Sequence, residues 1–248
     1  MAVDEAILEA VGRGESLPTL RLYAWHPPCL SLGYAQAASD VDVEQLTRLD
    51  WQLVRRPTGG RAILHTDELT YAVIATLSEP RVAGSVLESY QRLSLALLCA
   101  LRLMGIQAQA EAKTVVRDAQ NPICFEVPSS YEITVNGKKL IGSAQARRKE
   151  GILQHGSLPL SGDLSRITQA LKFPDEASRL AAAERLLARA ATVESVLGCP
   201  LSWQTAAEAF AVAFQRTLNL ELRLADLTPA EQARAAEIVR DKHHRQKS

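Results

Sequence analysis

The stretch Cys124-Phe125-Glu126-Val127-Pro128-Ser129-Ser130-Tyr131-Glu132-Ile133-Thr134-Val135-Asn136-Gly137-Lys138-Lys139-Leu140-Ile141-Gly142-Ser143-Ala144-Gln145-Ala146-Arg147-Arg148, continued by Ile152-Leu153-Gln154-His155-Gly156-Ser157-Leu158, decides the fold. Tyr131, Ile133 and Val135 alternate with Glu132 and Thr134, the period of a half-buried strand, and Asn136-Gly137 supplies the positive-φ pair of a tight hairpin turn. The returning strand carries Lys138 and Lys139 into Gly142-Ser143-Ala144, small residues that let a ligand approach the backbone and leave room for an inward lysine. Successive strand residues face opposite ways, so one of the two lysines points inward, where an ammonium needs a partner or a task. Cys124 lies ahead of the hairpin between Pro122 and Pro128, on irregular backbone of the kind that displays reactive side chains. An ammonium near a thiol favours the thiolate that acyl transfer through a thioester requires, which makes Cys124 a nucleophile candidate and Lys139 its cation. A packing cysteine and a solvated lysine are the alternative readings of the same two residues.

Upstream, Arg55-Arg56-Pro57-Thr58-Gly59-Gly60-Arg61-Ala62-Ile63-Leu64-His65 runs from a strand through a Pro-Thr-Gly-Gly turn into a second strand. Adjacent glycines among three arginines can wrap an anionic or carbonyl-bearing ligand, although a β-hairpin whose glycines serve only the turn fits the same letters. His65 and His155 are each either a general base or a hydrogen-bonded structural residue, since triads assemble in space and not along the chain.

The remaining chain alternates helices and strands. Asp4 to Arg13 reads as a helix and Leu20 to Trp25 as a strand, with a further short helix around Val43, Leu46 and Leu49. The nearly continuous apolar run Leu69 to Leu77 reads as a buried central strand. Ser85-Val86-Leu87-Glu88 is a capping box opening a helix that faces inward with Leu87, Tyr90, Ser94, Leu97, Leu98 and Leu101 and stops at Gly105. Ile106 to Ala112 alternates weakly as a strand, and Lys113 to Pro122 reads as a polar connection. Helices are expected over Asp163 to Leu171, over Asp175 to Ala190 with Leu180, Ala183, Leu187 and Ala190 on its apolar side, and over Ser202 to Leu218. A short strand at Glu221 to Leu224, a capping box at Thr228 to Glu231 and a frayed basic tail from Lys242 complete the reading.

Composition excludes several classes. The 248 residues carry 28 basic and 28 acidic side chains, a balance unlike that of a generic nucleic-acid binder. No apolar run approaches a membrane span and the N-terminus lacks a signal-peptide pattern, which reads as cytoplasmic. Cys29, Cys99, Cys124 and Cys199 are widely spaced, and His243-His244 stands without further ligands, so neither a zinc site nor a disulfide framework is expected.

Three segments in order, Arg55 to His65, Gly137 to Gln145 and Gln154 to Leu158, resemble the biotin/lipoate protein ligase and lipoyl (octanoyl) transferase superfamily over nearly the whole chain. Within it, Cys124-Phe125 followed by Pro128-Ser129-Ser130-Tyr131-Glu132 resembles the octanoyltransferases of the LipM type. The resemblance implies an α+β fold, class II aminoacyl-tRNA synthetase-like, with a mixed sheet flanked by helices and a helical C-terminal portion from about residue 163, in one domain over 1–248. It implies transfer of octanoate from octanoyl-acyl carrier protein to a lysine of the glycine cleavage H protein or another lipoyl domain, through a Cys124 thioester whose thiol Lys139 acidifies. The binding positions it implies are Arg56, Thr58, Gly59, Gly60, Arg61, His65, Gly142, Ser143, Ala144, His155 and Gly156. An apolar tunnel between the loop and the Gly142-Ser143-Ala144 strand would hold the chain, with backbone N–H groups of both on the thioester oxygen. The incoming thioester is already activated, so neither ATP nor a metal nor another cofactor is expected. The rivals are an ATP-dependent lipoate ligase, which shares the loop and the lysine but does not need Cys124, and a non-catalytic lipoyl-domain binding protein. The family usually has a strand ahead of the helix that opens this chain and a tyrosine-bearing segment where Asp241-Lys242-His243-His244 stands.

Overall fold

The computed structural model describes residues 1–111 and 132–246, so Cys124 and Tyr131 lie outside the described residues. In chain order the elements are α1 (Ala2–Gly12), β1 (Thr19–Tyr23), β2 (Cys29–Leu32), α2 (Val43–Arg48), β3 (Gln52–Arg55), β4 (Ile63–His65), β5 (Glu68–Ala75), α3 (Val86–Leu103), β6 (Gln109–Glu111), β7 (Glu132–Val135), β8 (Lys138–Arg148), β9 (Gly151–Pro159), α4 (Glu176–Arg189), α5 (Val193–Leu197), α6 (Trp203–Leu218) and α7 (Pro229–Gln246). A six-stranded sheet runs β1-β5-β9-β8-β7-β6 with every neighbouring pair antiparallel. A three-stranded sheet runs β3-β2-β4 and mixes a parallel β2–β3 pair with an antiparallel β2–β4 pair.

Asn136 (φ 50°) and Gly137 (φ 75°) close the β7–β8 hairpin, as their residue types require. β5 is apolar almost throughout because both of its faces are covered. On one side Ile7, Leu8 and Val11 of α1 pack against Ala72, Ile74 and Leu153. On the other, Tyr71 meets Phe210 and Phe214 of α6, within a core that includes Leu93, Leu97 and Leu101 of α3. Ser85 and Glu88 form the reciprocal cap of α3, and Thr228 and Glu231 do the same for α7.

Several expectations are corrected. The strands flanking the glycine loop are not partners of each other: β3 and β4 lie on either side of β2, so the loop crosses over the end of that strand. Leu87 is 40% exposed although the rest of the α3 face is placed as expected. Residues 163–171 form only a 3₁₀ turn, Leu164–Gln169, and Glu221 to Leu224 form no strand. The C-terminal helix runs on through Gln246, tied to α1 by a bidentate ion pair of Arg234 with Glu9 and by Ala235 and Ile238 against Ala6. In α4 the buried stripe is Ala182, Leu186 and then Ala190, while Leu180 and Leu187 are 51% and 44% exposed. Leucines at 186 and 187 satisfy helical spacing equally well, and only the neighbouring elements select between them.

This assignment of the α4 face separates two adjacent leucines. Leu186→Ala should destabilise the protein by about 2–5 kcal/mol, whereas Leu187→Ser should stay within about 0.5 kcal/mol of the parent, both read from urea unfolding midpoints.

Candidate active site

The glycine loop, β8 and β9 and the start of α3 line a cavity of ≈ 280 Å³. Arg56, Gly59, Gly60, His65, Gly142, Ser143, Ala144, His155 and Gly156, all expected at the site, contribute to its wall, with Val86, Tyr90 and Ile63 as apolar members. Thr58 lies behind the wall, 1% exposed, with its hydroxyl 2.6 Å from Nε2 of His155. Arg61 belongs to the loop, and its carbonyl faces inward onto Arg56.

The loop is fastened from inside. Arg56 is 3% exposed and its four terminal N–H groups go to the protein's own oxygens: Nη1 to the carbonyl (2.8 Å) and hydroxyl (2.7 Å) of Ser31, and Nη2 to the carbonyls of Gly59 (3.1 Å) and Arg61 (2.8 Å). Arg55 likewise donates to the carbonyls of Gly33, Tyr34 and Gln36. These two arginines staple the backbone of the loop and of the segment it crosses. A Cβ on Gly33 would fall 1.9 Å from the carbonyl oxygen of Gly60, so the two segments touch through backbone alone. Gly59 differs: a Cβ there meets nothing within 4 Å, and its φ is not in the left-handed range. Neither Cβ packing nor a positive φ demands glycine at 59.

On the opposite wall, a Cβ on Gly156 would lie 2.6 Å from the carbonyl oxygen of Gly142 and 2.6 Å from the Tyr71 ring. The Tyr71 hydroxyl meets Ser143 Oγ at 2.7 Å and accepts from Gln154 at 3.1 Å, while burial pushes its pKa up to about 12, so it stays a neutral partner. β7 pairs with β8 only as far as Glu132 opposite Gly142, so beyond that point no strand among the described residues covers this edge of β8 at Ser143 and Ala144.

Of the two lysines, Lys138 points outward and reaches the carbonyl of Leu187, whereas Lys139 is 3% exposed with Nζ 2.7 Å from Glu132 Oε1. The carboxylate supplies the partner that a buried ammonium needs. Lys139 is not among the residues lining the cavity, and Cys124, its proposed thiol, lies outside the described residues. Cys29 is no substitute: burial pushes its thiol up to about 12. Among the described residues no group of three or more His, Cys, Asp or Glu side chains is placed to hold a metal ion, and no helix is long and apolar enough to cross a membrane.

The two histidines have different surroundings. His65 lies between Ser31 Oγ (2.6 Å) and Glu68 Oε1 (2.7 Å) and stacks on Trp25. His155 has Thr58 on Nε2 and no partner on Nδ1 among the described residues, and burial pulls its pKa down to about 3. Residue spacing gave no reason to single out Ser31, Glu68, Thr70 or Tyr71; only Ser157, in the His-Gly-Ser run, carried a signal.

The sequence profile of the Lipoyl protein ligase A/B catalytic domain matches residues 1–215. The chain is 41% identical over 245 residues to Octanoyltransferase LipM of Kyrpidia tusciae, covering 96% of this chain and 89% of that protein. Among solved structures, a bi-partite lipoate protein ligase of Thermoplasma acidophilum, described with its E2 lipoyl domain, superposes with a TM-score of 0.77 at 26% identity, covering 96% of this chain and 85% of that one. A lipoate-protein ligase A bound with ATP gives 0.76 at 26% identity over 96% and 87% of the two chains.

The buried imidazole of His155 has a measurable consequence. In the unfolded chain a histidine titrates near 6.5, so as pH falls the unfolded state takes up the proton first. Stability present above about pH 6.5 is therefore lost progressively toward about pH 3, where the folded imidazole itself protonates, at up to about 1.4 kcal/mol per pH unit. Urea unfolding at pH 7, 6, 5 and 4, roughly spanning that window, should show this slope in the parent and a shallower one in His155→Gln.

Proposed function

This chain belongs to the lipoyl protein ligase A/B catalytic-domain family, and from that premise we infer that it transfers an octanoyl group in lipoate biosynthesis through an acyl-thioester on Cys124. The transferase reading is carried by the 41% identity to an octanoyltransferase across 96% of the chain. The Cys124 thiolate attacks the carbonyl carbon of octanoyl-acyl carrier protein, the carbon–sulfur bond to the carrier breaks, and the carrier thiolate leaves and takes a proton. The ε-amine of a lysine on a lipoyl domain, the glycine cleavage H protein among them, then attacks octanoyl-Cys124. The amide forms, Cys124 leaves as thiolate, and the amine's proton passes to solvent. Lys139, held by Glu132, is the cation for the thiolate. The cavity takes the acyl chain, each methylene buried there contributing about 0.8 kcal/mol, and backbone N–H groups near Gly59 and Gly60 and along Gly142 to Ala144 are those that meet the thioester oxygen. A lipoyl-domain acceptor is consistent with the ligase relative described with its E2 lipoyl domain.

The likeness to a lipoate-protein ligase bound with ATP favours one other reading, ATP-dependent activation of free lipoate or octanoate at the same cavity. Incubation with octanoyl-acyl carrier protein and a lipoyl domain, without nucleotide, separates the two. The transferase should acquire one octanoyl group by intact mass and pass it to the acceptor, and Cys124→Ser should do neither. Modification that needs ATP and survives Cys124→Ser would reject the thioester mechanism, and binding with no mass change on either protein would leave only a lipoyl-domain binder.

Two further substitutions test the site. Gly59→Val should leave the unfolding midpoint within about 0.5 kcal/mol of the parent, because a Cβ there meets nothing within 4 Å, while lowering kcat/KM about tenfold or more by occupying the ligand's place. Lys139→Met should slow acyl-enzyme formation about a hundredfold and also destabilise the fold by about 3–5 kcal/mol by removing the ammonium from the buried Glu132 carboxylate; adding Glu132→Gln should restore stability but not the rate.

A further inference from the structure

In the cavity wall and just behind it lies a chain of buried polar groups to which the acyl-transfer scheme assigns no step. Glu68 Oε1 accepts from His65 Nδ1 at 2.7 Å, from Ser157 Oγ at 3.0 Å and from Thr70 Oγ1, whose oxygen in turn accepts the Trp25 indole N–H at 2.8 Å. Across the imidazole, Nε2 lies 2.6 Å from Ser31 Oγ, and that oxygen is 2.7 Å from Arg56 Nη1. A hydroxyl, an imidazole and a carboxylate in this order have the connectivity of an activated serine nucleophile. Ser31 is not one: it is 0% exposed, and its oxygen already accepts from a guanidinium that would hold its lone pairs away from an electrophile.

Donor and acceptor counting gives the chain a direction. The Glu68 carboxylate only accepts, so it fixes the proton of His65 on Nδ1 and leaves Nε2 as an acceptor. Ser31 then donates its hydroxyl proton to Nε2 and keeps its lone pairs for Arg56. With Nη1 held by the Ser31 hydroxyl and carbonyl, Nη2 is turned onto the carbonyls of Gly59 and Arg61. Each of those carbonyls is antiparallel to the N–H of its own peptide, so fixing them also fixes where the N–H groups of Gly60 and Ala62 point.

We propose that Ser31 and Glu68 are positioning residues for the transfer reaction, acting through His65 and Arg56 to hold the Gly59-Gly60-Arg61 backbone in the shape that receives the acyl group. The proposal rests on the acyl-transfer reading for its kinetic consequence, and on geometry alone for its structural one. The test is amide hydrogen exchange by mass spectrometry on the full chain, paired with steady-state octanoyl transfer. In Ser31→Ala, exchange should quicken about tenfold in peptides covering residues 57–62, with the remainder of β2 and β4 unchanged, and kcat/KM should fall about tenfold, mostly through KM, the size expected for one charge-assisted hydrogen bond. Glu68→Gln keeps the shape but lets Nε2 carry the proton, and should show the same pattern to a smaller degree. Unchanged loop exchange in both variants, or a rise spread evenly over the three-stranded sheet, would overturn the relay and leave ordinary core polarity. If the parent transfers no octanoyl group, the functional reading fails, while the exchange result still decides whether Ser31 and Glu68 hold the loop.

Discussion

A guanidinium taken out of water must give each of its N–H groups to an oxygen, and where those oxygens come from decides what the residue does. Arg56 takes two from Ser31, on β2, and two from the loop between β3 and β4. The strands of the small sheet and the loop that crosses them are thereby joined at one point, which a loop of glycines could not do for itself. Glycine lowers the cost of the crossing, since Gly33 and Gly60 meet backbone to backbone, but glycine also raises the entropy of the unfastened loop. The arginine supplies the order that the glycines remove.

The same economy runs through the two histidines. His65 sits between a carboxylate and a hydroxyl and so has a defined donor and a defined acceptor. His155 has a single partner among the described residues and lies where burial keeps it neutral far below its ordinary range. Burial therefore takes His155 away from the range of a general base poised near neutrality. Both histidines brace the glycine loop, His65 through Ser31 and Arg56, and His155 through Thr58.

What was legible in the sequence was local. Asn136-Gly137 specifies its turn by backbone conformation, the Ser85–Glu88 box specifies a helix start by hydrogen bonds three residues apart, and the apolar run of β5 reports cover on both faces. The errors fall where the deciding partner is distant. Leu186 and Leu187 have the same propensity and adjacent positions, and the sheet they meet chooses between them. Glu221 to Leu224 alternate like a strand but pair with none of the described strands. The strands flanking the glycine loop fit a hairpin, the alternative reading of the loop, because nothing in their own letters reports that β2, from more than twenty residues earlier, lies between them. The relay from Glu68 to Arg56 was illegible for the same reason: its members come from β2, β4, β5 and the loop, and only the folded register makes them neighbours.

This division bears on how one scaffold serves two chemistries. With the terminal N–H groups of Arg56 committed to the protein, that residue meets a ligand only through the backbone amides it holds in place beside the apolar hollow. An acyl adenylate and an acyl thioester look alike to such a surface: each is a carbonyl beside an aliphatic chain. The loop and the Gly142-Ser143-Ala144 strand therefore suit ligases and transferases equally, and discrimination has to reside in whatever meets the other side of the carbonyl. On the reading proposed for this chain that group is the thiol of Cys124, in a segment leading into β7, where Glu132 holds the buried ammonium of Lys139. A ligase with the same loop and lysine would present that ammonium to a phosphate. Pairing it with a thiolate converts an activating site into an accepting one without altering the wall that holds the chain.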